Sequence, residues 1–278
     1  MAWVESVSPS FRARHDSRDA DDADRVLHAL ELTRDRLERV FPRTVGEITV
    51  VLHSLELTRD RLERVFPRTV GEITVVLHTS TLGVSLTNPL LPLAWLATDP
   101  AARRYVAGWA GATEMHVLAP ATLIARASNV PGSREMLARV PAALYTRRVI
   151  HENNHDLPRR LTPRRIALEL RWAWLLEGAA RWLAGQTEHA RPAIARRLHD
   201  GGRPSFPPGV RDAALLGGTV IDLLVHEEGE QRAVQLASRL HPQGPRAALT
   251  KAFGGRAMVH TEGAWRSHLA RLAGARYG

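Results

Sequence analysis

Residues 149–156 read Val149-Ile150-His151-Glu152-Asn153-Asn154-His155-Asp156. The residues ahead of them favour helix, with Pro141 at the first turn, where the missing N–H costs nothing. The spacing predicts one helix from Pro141 to Asp156, stopped at Pro158. On such a helix His151 and His155 stand about 40° apart around the axis and share a face, with Glu152 about 100° from His151. Two imidazoles so placed can bind a single zinc ion, and Glu152 can reach a water bound to it.

Two histidines leave zinc one protein ligand short of a catalytic site. The chain has no cysteine, so the third ligand must be His, Asp or Glu. The next helix is predicted to start with Thr162 as cap and Pro163 at its first position, and to run to about Gly185. It carries Trp174-Leu175-Leu176-Glu177-Gly178-Ala179-Ala180-Arg181-Trp182. Glu177 lies in a markedly apolar stretch, where an unpaired carboxylate is costly to bury. Coordination to a cation removes that cost, and so would an ion pair with Arg171 or Arg181. Gly178 is expected to let the two helices approach closely. Asp156 and Glu169 are both candidates to orient the histidines. Trp172, Trp174 and Trp182 read as core packing, and the pairs Arg147-Arg148, Arg159-Arg160 and Arg164-Arg165 read mainly as solvated faces.

The two motifs together resemble the gluzincins, in their peptidase-MA-like branch related to the aminopeptidases. Trp174, Leu175, Glu177, Gly178, Ala180 and Trp182 match the family's second motif, and His155 and Glu177 are 22 positions apart. The resemblance implies an α+β, zincin-like fold. A small twisted N-terminal sheet would carry the active-site helix, and an all-helical C-terminal lobe would hold the third ligand. Residues 1–160 and 161–278 would form the two lobes of one catalytic domain. It implies His151, His155 and Glu177 as ligands of one Zn2+ per chain, Glu152 as general base, and a peptide or protein as substrate. The family usually has apolar or Thr residues where Asn153 and Asn154 stand. Asn is a weak helix former, yet the ligand-bearing face is expected to survive. Many members place a Tyr or His of the C-terminal lobe over the developing oxyanion, and Tyr277, His226 and His260 are the candidates. A zinc-binding scaffold without turnover is the rival reading.

Residues 30–53, LELTRDRLERVFPRTVGEITVVLH, recur letter for letter as residues 55–78, with Ser54 between. Each copy encodes a helix, with Leu32, Leu37, Val40 and Phe41 at helical spacing in the first, then Pro42 or Pro67, then a β-branched strand at Ile48–Leu52 or Ile73–Leu77. Repeat architectures conserve a pattern rather than an exact sequence, so a tandem duplication explains the identity. The fold is expected to need one unit, and the two identical strands compete for one slot in the sheet.

The chain of 278 residues, 44% hydrophobic, can bury a sizeable core. Its formal charge is +9, with Lys251 the one lysine. Aromatics are 5%, few for stacking on single strands, and no segment is solidly basic, so nucleic acid is not the expected partner. No membrane partner is expected either, since Pro89 to Ala97 is the most apolar run and too short to span a bilayer. The residues up to Arg14 lack a signal-type apolar stretch, and a cytoplasmic location is expected. Further strands are predicted at Ser10–His15 and at Glu114–Leu118, and the resemblance implies an edge strand ahead of the active helix. Further helices are predicted from Asp19, at Ser133–Val140, and at about Arg191–His199, Gly209–Val225, Glu230–Leu240 and Gly263–Ala273. The stretch Thr79–Thr113 carries no clear pattern.

Overall fold

A computed structural model describes residues 3–39, 74–158, 160, 162–200 and 202–274. The fold is mixed α and β, mostly helical, with one five-stranded sheet. The strands are β1 (Trp3–Val7), β2 (Arg12–Asp16), β3 (Thr74–His78), β4 (Gly108–Ala110) and β5 (Glu114–Leu118). They lie in the order β1-β2-β3-β5-β4. The two outer pairs, β1/β2 and β4/β5, are antiparallel, and the central β2/β3 and β3/β5 pairs are parallel. Phe11 and Ala13 are buried beside the second strand, as expected. The edge strand next to the motif helix is β4. The strand at Glu114–Leu118 is interior, paired with β3 through His78↔Leu118 and with β4 through Ala110↔Met115.

Helix α1 (Ala20–Glu38) covers the sheet. Ala23, Val26, Leu27, Leu30 and Leu37 are buried at helical spacing. Leu32, expected on that face, is 59% exposed. Glu31 anchors the helix to the β1–β2 turn, accepting from Ser10 N at 2.6 Å and from the Ser8 hydroxyl at 2.7 Å. The unassigned stretch after β3 folds into short helices α2 (Thr81–Thr87), α3 (Leu90–Ala97) and α4 (Pro100–Arg103), then β4. After β5 follow α5 (Pro120–Ala125), α6 (Ser133–Ala138) and the motif helix α7 (Val140–Asn153). The rest is helical: α8 (Pro163–Arg171), α9 (Ala173–Leu183), α10 (Arg191–Asp200), α11 (Val210–Glu228), α12 (Glu230–Ser238), α13 (Pro245–Ala252) and α14 (Met258–Gly274). One buried apolar cluster runs from Phe11 to Leu269 and joins the sheet to the C-terminal helices.

The duplicated unit is used once among the described residues. The first copy supplies the end of α1 and the second supplies β3. The first copy's strand, the second copy's helix, and Val40, Phe41, Pro42 and Pro67 lie outside the described residues. The predicted helix from Pro163 to Gly185 is two helices. Trp172, at φ −108° and ψ 15°, breaks the chain between α8 and α9 and is itself buried. Gly178 permits a close approach, but to α11 rather than to the motif helix. A Cβ there would lie 2.4 Å from the Gly217 carbonyl carbon, so the two backbones meet where neither helix has a side chain.

Candidate metal and proton-transfer site

The motif helix ends two residues too early for the predicted site. Asn153 is its last residue, and Asn154, at φ −93° and ψ 106°, is already extended. Both asparagines use their side chains against the backbone. Asn153 Nδ2 donates to Val149 O at 2.9 Å. Asn154 Oδ1 accepts from Asp156 N at 3.1 Å, and its Nδ2 donates to Ala237 O on α12 at 2.8 Å. Such local bonds offer the chain an alternative to the next helical turn. Asp156 Oδ2 then accepts from Leu240 N at 2.8 Å, so residues 154–156 are fastened to the end of α12. His155 falls in this turn and is exposed. The expectation that the asparagines leave one continuous ligand face is therefore corrected: His151 is on the helix and His155 is off it.

Three helices converge on His151, each presenting a polar pair one turn apart: Arg147 and His151 from α7, Arg165 and Glu169 from α8, Glu177 and Arg181 from α9. Arg147 bridges the carboxylates, donating to Glu169 Oε2 at 3.0 Å and to Glu177 Oε1. Arg165 Nε donates to Glu169 Oε1 at 2.7 Å, and its Nη2 lies 3.1 Å from His151 Nδ1. Arg181 reaches Glu177 Oε2 at 3.3 Å and continues inward to Gln186 Oε1 at 2.6 Å. Glu177 thus has the ion-pair partner foreseen in Arg181, together with the unforeseen Arg147. Arg147 and Arg165, read from sequence as solvated, point into this cluster. The i,i+4 spacing of Arg165–Glu169 and Glu177–Arg181 was the signal available in the sequence. Of the two candidate orienting acids, Glu169 is the one near His151, 4.0 Å from its Nδ1.

These charges set the protonation states. Burial raises the Glu177 carboxyl, but the guanidinium groups of Arg147 and Arg181 outweigh it and hold the group below its usual range. Glu169 is likewise held low against burial, chiefly by Arg147. His151 is pushed down to about 3, first by burial and then by Arg147, and its ring is neutral at physiological pH. Its Nε2 is buried without a hydrogen-bond partner. A buried polar atom left unmatched is uncommon. Glu152 sits one turn from Arg148, whose Nη1 donates to it at 2.9 Å, while Arg148 Nε reaches Ala112 O in the β4–β5 turn at 3.4 Å.

The donor types fit a divalent metal at two positions. Arg165 can only donate, so in the neutral His151 ring Nδ1 accepts and Nε2 carries the proton it would have to give up to bind a metal. Glu177 is an ionised, largely buried carboxylate on a facing helix. His155 does not join them in this arrangement. Among the described residues, no three His, Asp or Glu side chains are gathered so as to hold a metal ion. The oxyanion candidates lie apart as well: His260 is exposed on α14, His226 lines a separate cavity, and Tyr277 is outside the described residues. No helix among the described residues is long and apolar enough to cross a membrane. Comparison with protein-family models, with curated proteins and with solved structures finds no match.

Proposed function

We propose that the chain is a zinc-dependent peptidase of gluzincin type. The reading is carried by His151: a neutral, buried imidazole with an unmatched Nε2, standing at the first position of an HExxH motif and facing the helix that bears Glu177. His151 and Glu177 would hold the metal, and His155 would join as third ligand once the turn at residues 154–156 rewinds onto the helix. Zinc, when bound, supplies a Lewis acid that polarises a peptide carbonyl and acidifies a water. Glu152 follows His151 directly and would accept a proton and return it to the leaving amine. Arg148 donates to Glu152 and orients it for that task. Strand β4 ends the sheet beside α7, and an extended peptide would add to it as a further strand.

A second reading is favoured by one observation: Glu177 is already neutralised by two arginines while His155 stands outside the helix. In that reading the chain keeps the scaffold of the site without turnover. Elemental analysis of the purified protein, beside His151→Ala and Glu177→Gln, separates the two. About one zinc per chain, lost in both variants, supports the peptidase and justifies a peptide-library screen with Glu152→Gln as control. No bound metal after zinc addition rules the peptidase out. Stoichiometric zinc with no hydrolysis selects the inactive scaffold.

A further inference from the structure

Among the C-terminal helices many arginines are matched to carboxylates. Arg197 forks onto Asp212 at 2.7 and 2.9 Å, Arg211 bonds Asp99 at 3.0 Å, Arg256 meets Glu227 at 2.6 Å, and Arg266 Nε bonds Glu262 at 2.9 Å. Arg191, the first residue of α10, and Arg271, in the last turns of α14, are different. Among the described residues neither comes within salt-bridge distance of a carboxylate, although Arg191 acts through its charge on Asp222. Both border one cavity of about 410 Å3, together with Asp222, His226, His268 and Leu272.

The single carboxylate of this cavity is already committed. Asp222 Oδ1 accepts from Trp182 Nε1 at 3.0 Å, and its Oδ2 pairs with His268 Nε2 at 2.8 Å. With Nε2–H donating to Asp222, the buried His268 ring presents Nδ1 toward Arg271, whose Nη2 lies 3.4 Å away. The floor is thus a fixed histidine–aspartate pair, and the walls are two guanidinium groups and the His226 ring. The neighbouring Glu227 cannot supply the missing charge, because it is engaged with Arg256. Both partners of Asp222 are neutral N–H donors, so Asp222 keeps its charge and acts on Arg191. Two guanidinium groups against one carboxylate leave the cavity an excess of one positive charge. Guanidinium forks match the oxygens of a tetrahedral oxyanion.

We propose that this cavity is a phosphate-binding site, clamped by Arg191 and Arg271 with His226 as a further donor, for free phosphate or a small phosphorylated molecule. It is separate from the motif site. Trp182 lies five residues beyond Glu177 on α9, about 140° around the helix, and none of His151, Glu152, His155 or Glu177 lines the cavity. The proposal is independent of whether the chain binds zinc.

Calorimetric titration of the full chain tests it, using inorganic phosphate, phenyl phosphate and, as control, acetate at matched ionic strength. The expected result is saturable binding of at least one of the two phosphates, weakened about tenfold or more in Arg191→Ala/Arg271→Ala through loss of charge-assisted bonds. Tighter binding of phenyl phosphate than of inorganic phosphate identifies an organic phosphate as the natural occupant, and the reverse order identifies free phosphate. Both arginines are exposed, so the variant should fold, and circular dichroism verifies that. The single variant Arg271→Gln repeats the measurement with less perturbation. If neither phosphate saturates the wild type, or if wild type and double variant bind equally, the proposal is overturned.

Discussion

Arg147 is the residue on which the candidate site turns. It is the shared partner of Glu169 and Glu177, and it also helps keep His151 neutral. Removing it leaves two largely buried carboxylates to each other and to one remaining arginine apiece. Arg147→Met is expected to cost about 2 kcal/mol in urea denaturation, below the roughly 3–5 kcal/mol of a fully buried pair, because its side chain keeps 32% exposure. A change under about 0.5 kcal/mol, the scale of an ordinary surface substitution, would show that the cluster is not structural. His151 gives a pH dependence. The ring titrates near its ordinary value of 6.5 when unfolded and at about 3 when folded. Between those values the unfolded chain binds a proton that the folded chain refuses. Stability of the metal-free protein therefore falls as pH drops through that window. His151→Gln should lose less stability than wild type between about pH 7 and about pH 5. Equal losses would place the acid sensitivity elsewhere.

At the scale of elements, helix ends and helix contacts decide what the motif residues can do. The pattern of α7 was legible from Pro141 onward, but its end was set by two asparagines whose side chains find backbone partners, one of them on α12. Propensity hinted at weakness there, and only the neighbour on α12 fixed the break. Gly178 was legible as a close-approach residue, but its partner helix was not, since Gly217 lies 39 positions further on. Gly178→Ala is expected to cost about 2–3 kcal/mol, as overpacking does where backbones must part, measured as a lowered thermal midpoint with unchanged far-UV spectrum. Wild-type stability in that variant would mean that α9 and α11 slide apart freely.

For the whole molecule, the duplication is the feature with the largest consequence. Among the described residues the fold takes its helix from copy one and its strand from copy two, and copy one followed by Thr79 encodes the same helix-then-strand order. Deleting Ser54–His78 joins His53 to Thr79 and restores a single uninterrupted unit. The expected product is soluble, with unchanged zinc content and at least equal stability, because loop-closure cost falls slowly with length. An insoluble product would show that both copies are structural. The mixed α and β class, the helical second half and the strand at Glu114–Leu118 were all readable from periodicity. The β1 strand, the small helices after β3 and the placement of β4 at the edge were not. Short elements carry too few periods to register, and strand order depends on pairing partners distant in the chain.

The sequence by itself determined the local matters: the helix-compatible run to His151, the Thr162 cap, the apolar helix around Glu177 and the repeated unit. These follow from side-chain period and capping chemistry within a few residues. Only the tertiary structure decided that His155 leaves the helix, that Arg147 and Arg165 turn inward onto Glu177 and Glu169, and that Asp222, His268 and two arginines meet in one cavity. Each of those depends on which carboxylate or carbonyl another element brings within hydrogen-bond reach. A charged side chain, unlike an apolar one on a periodic face, does not announce its partner in the sequence around it.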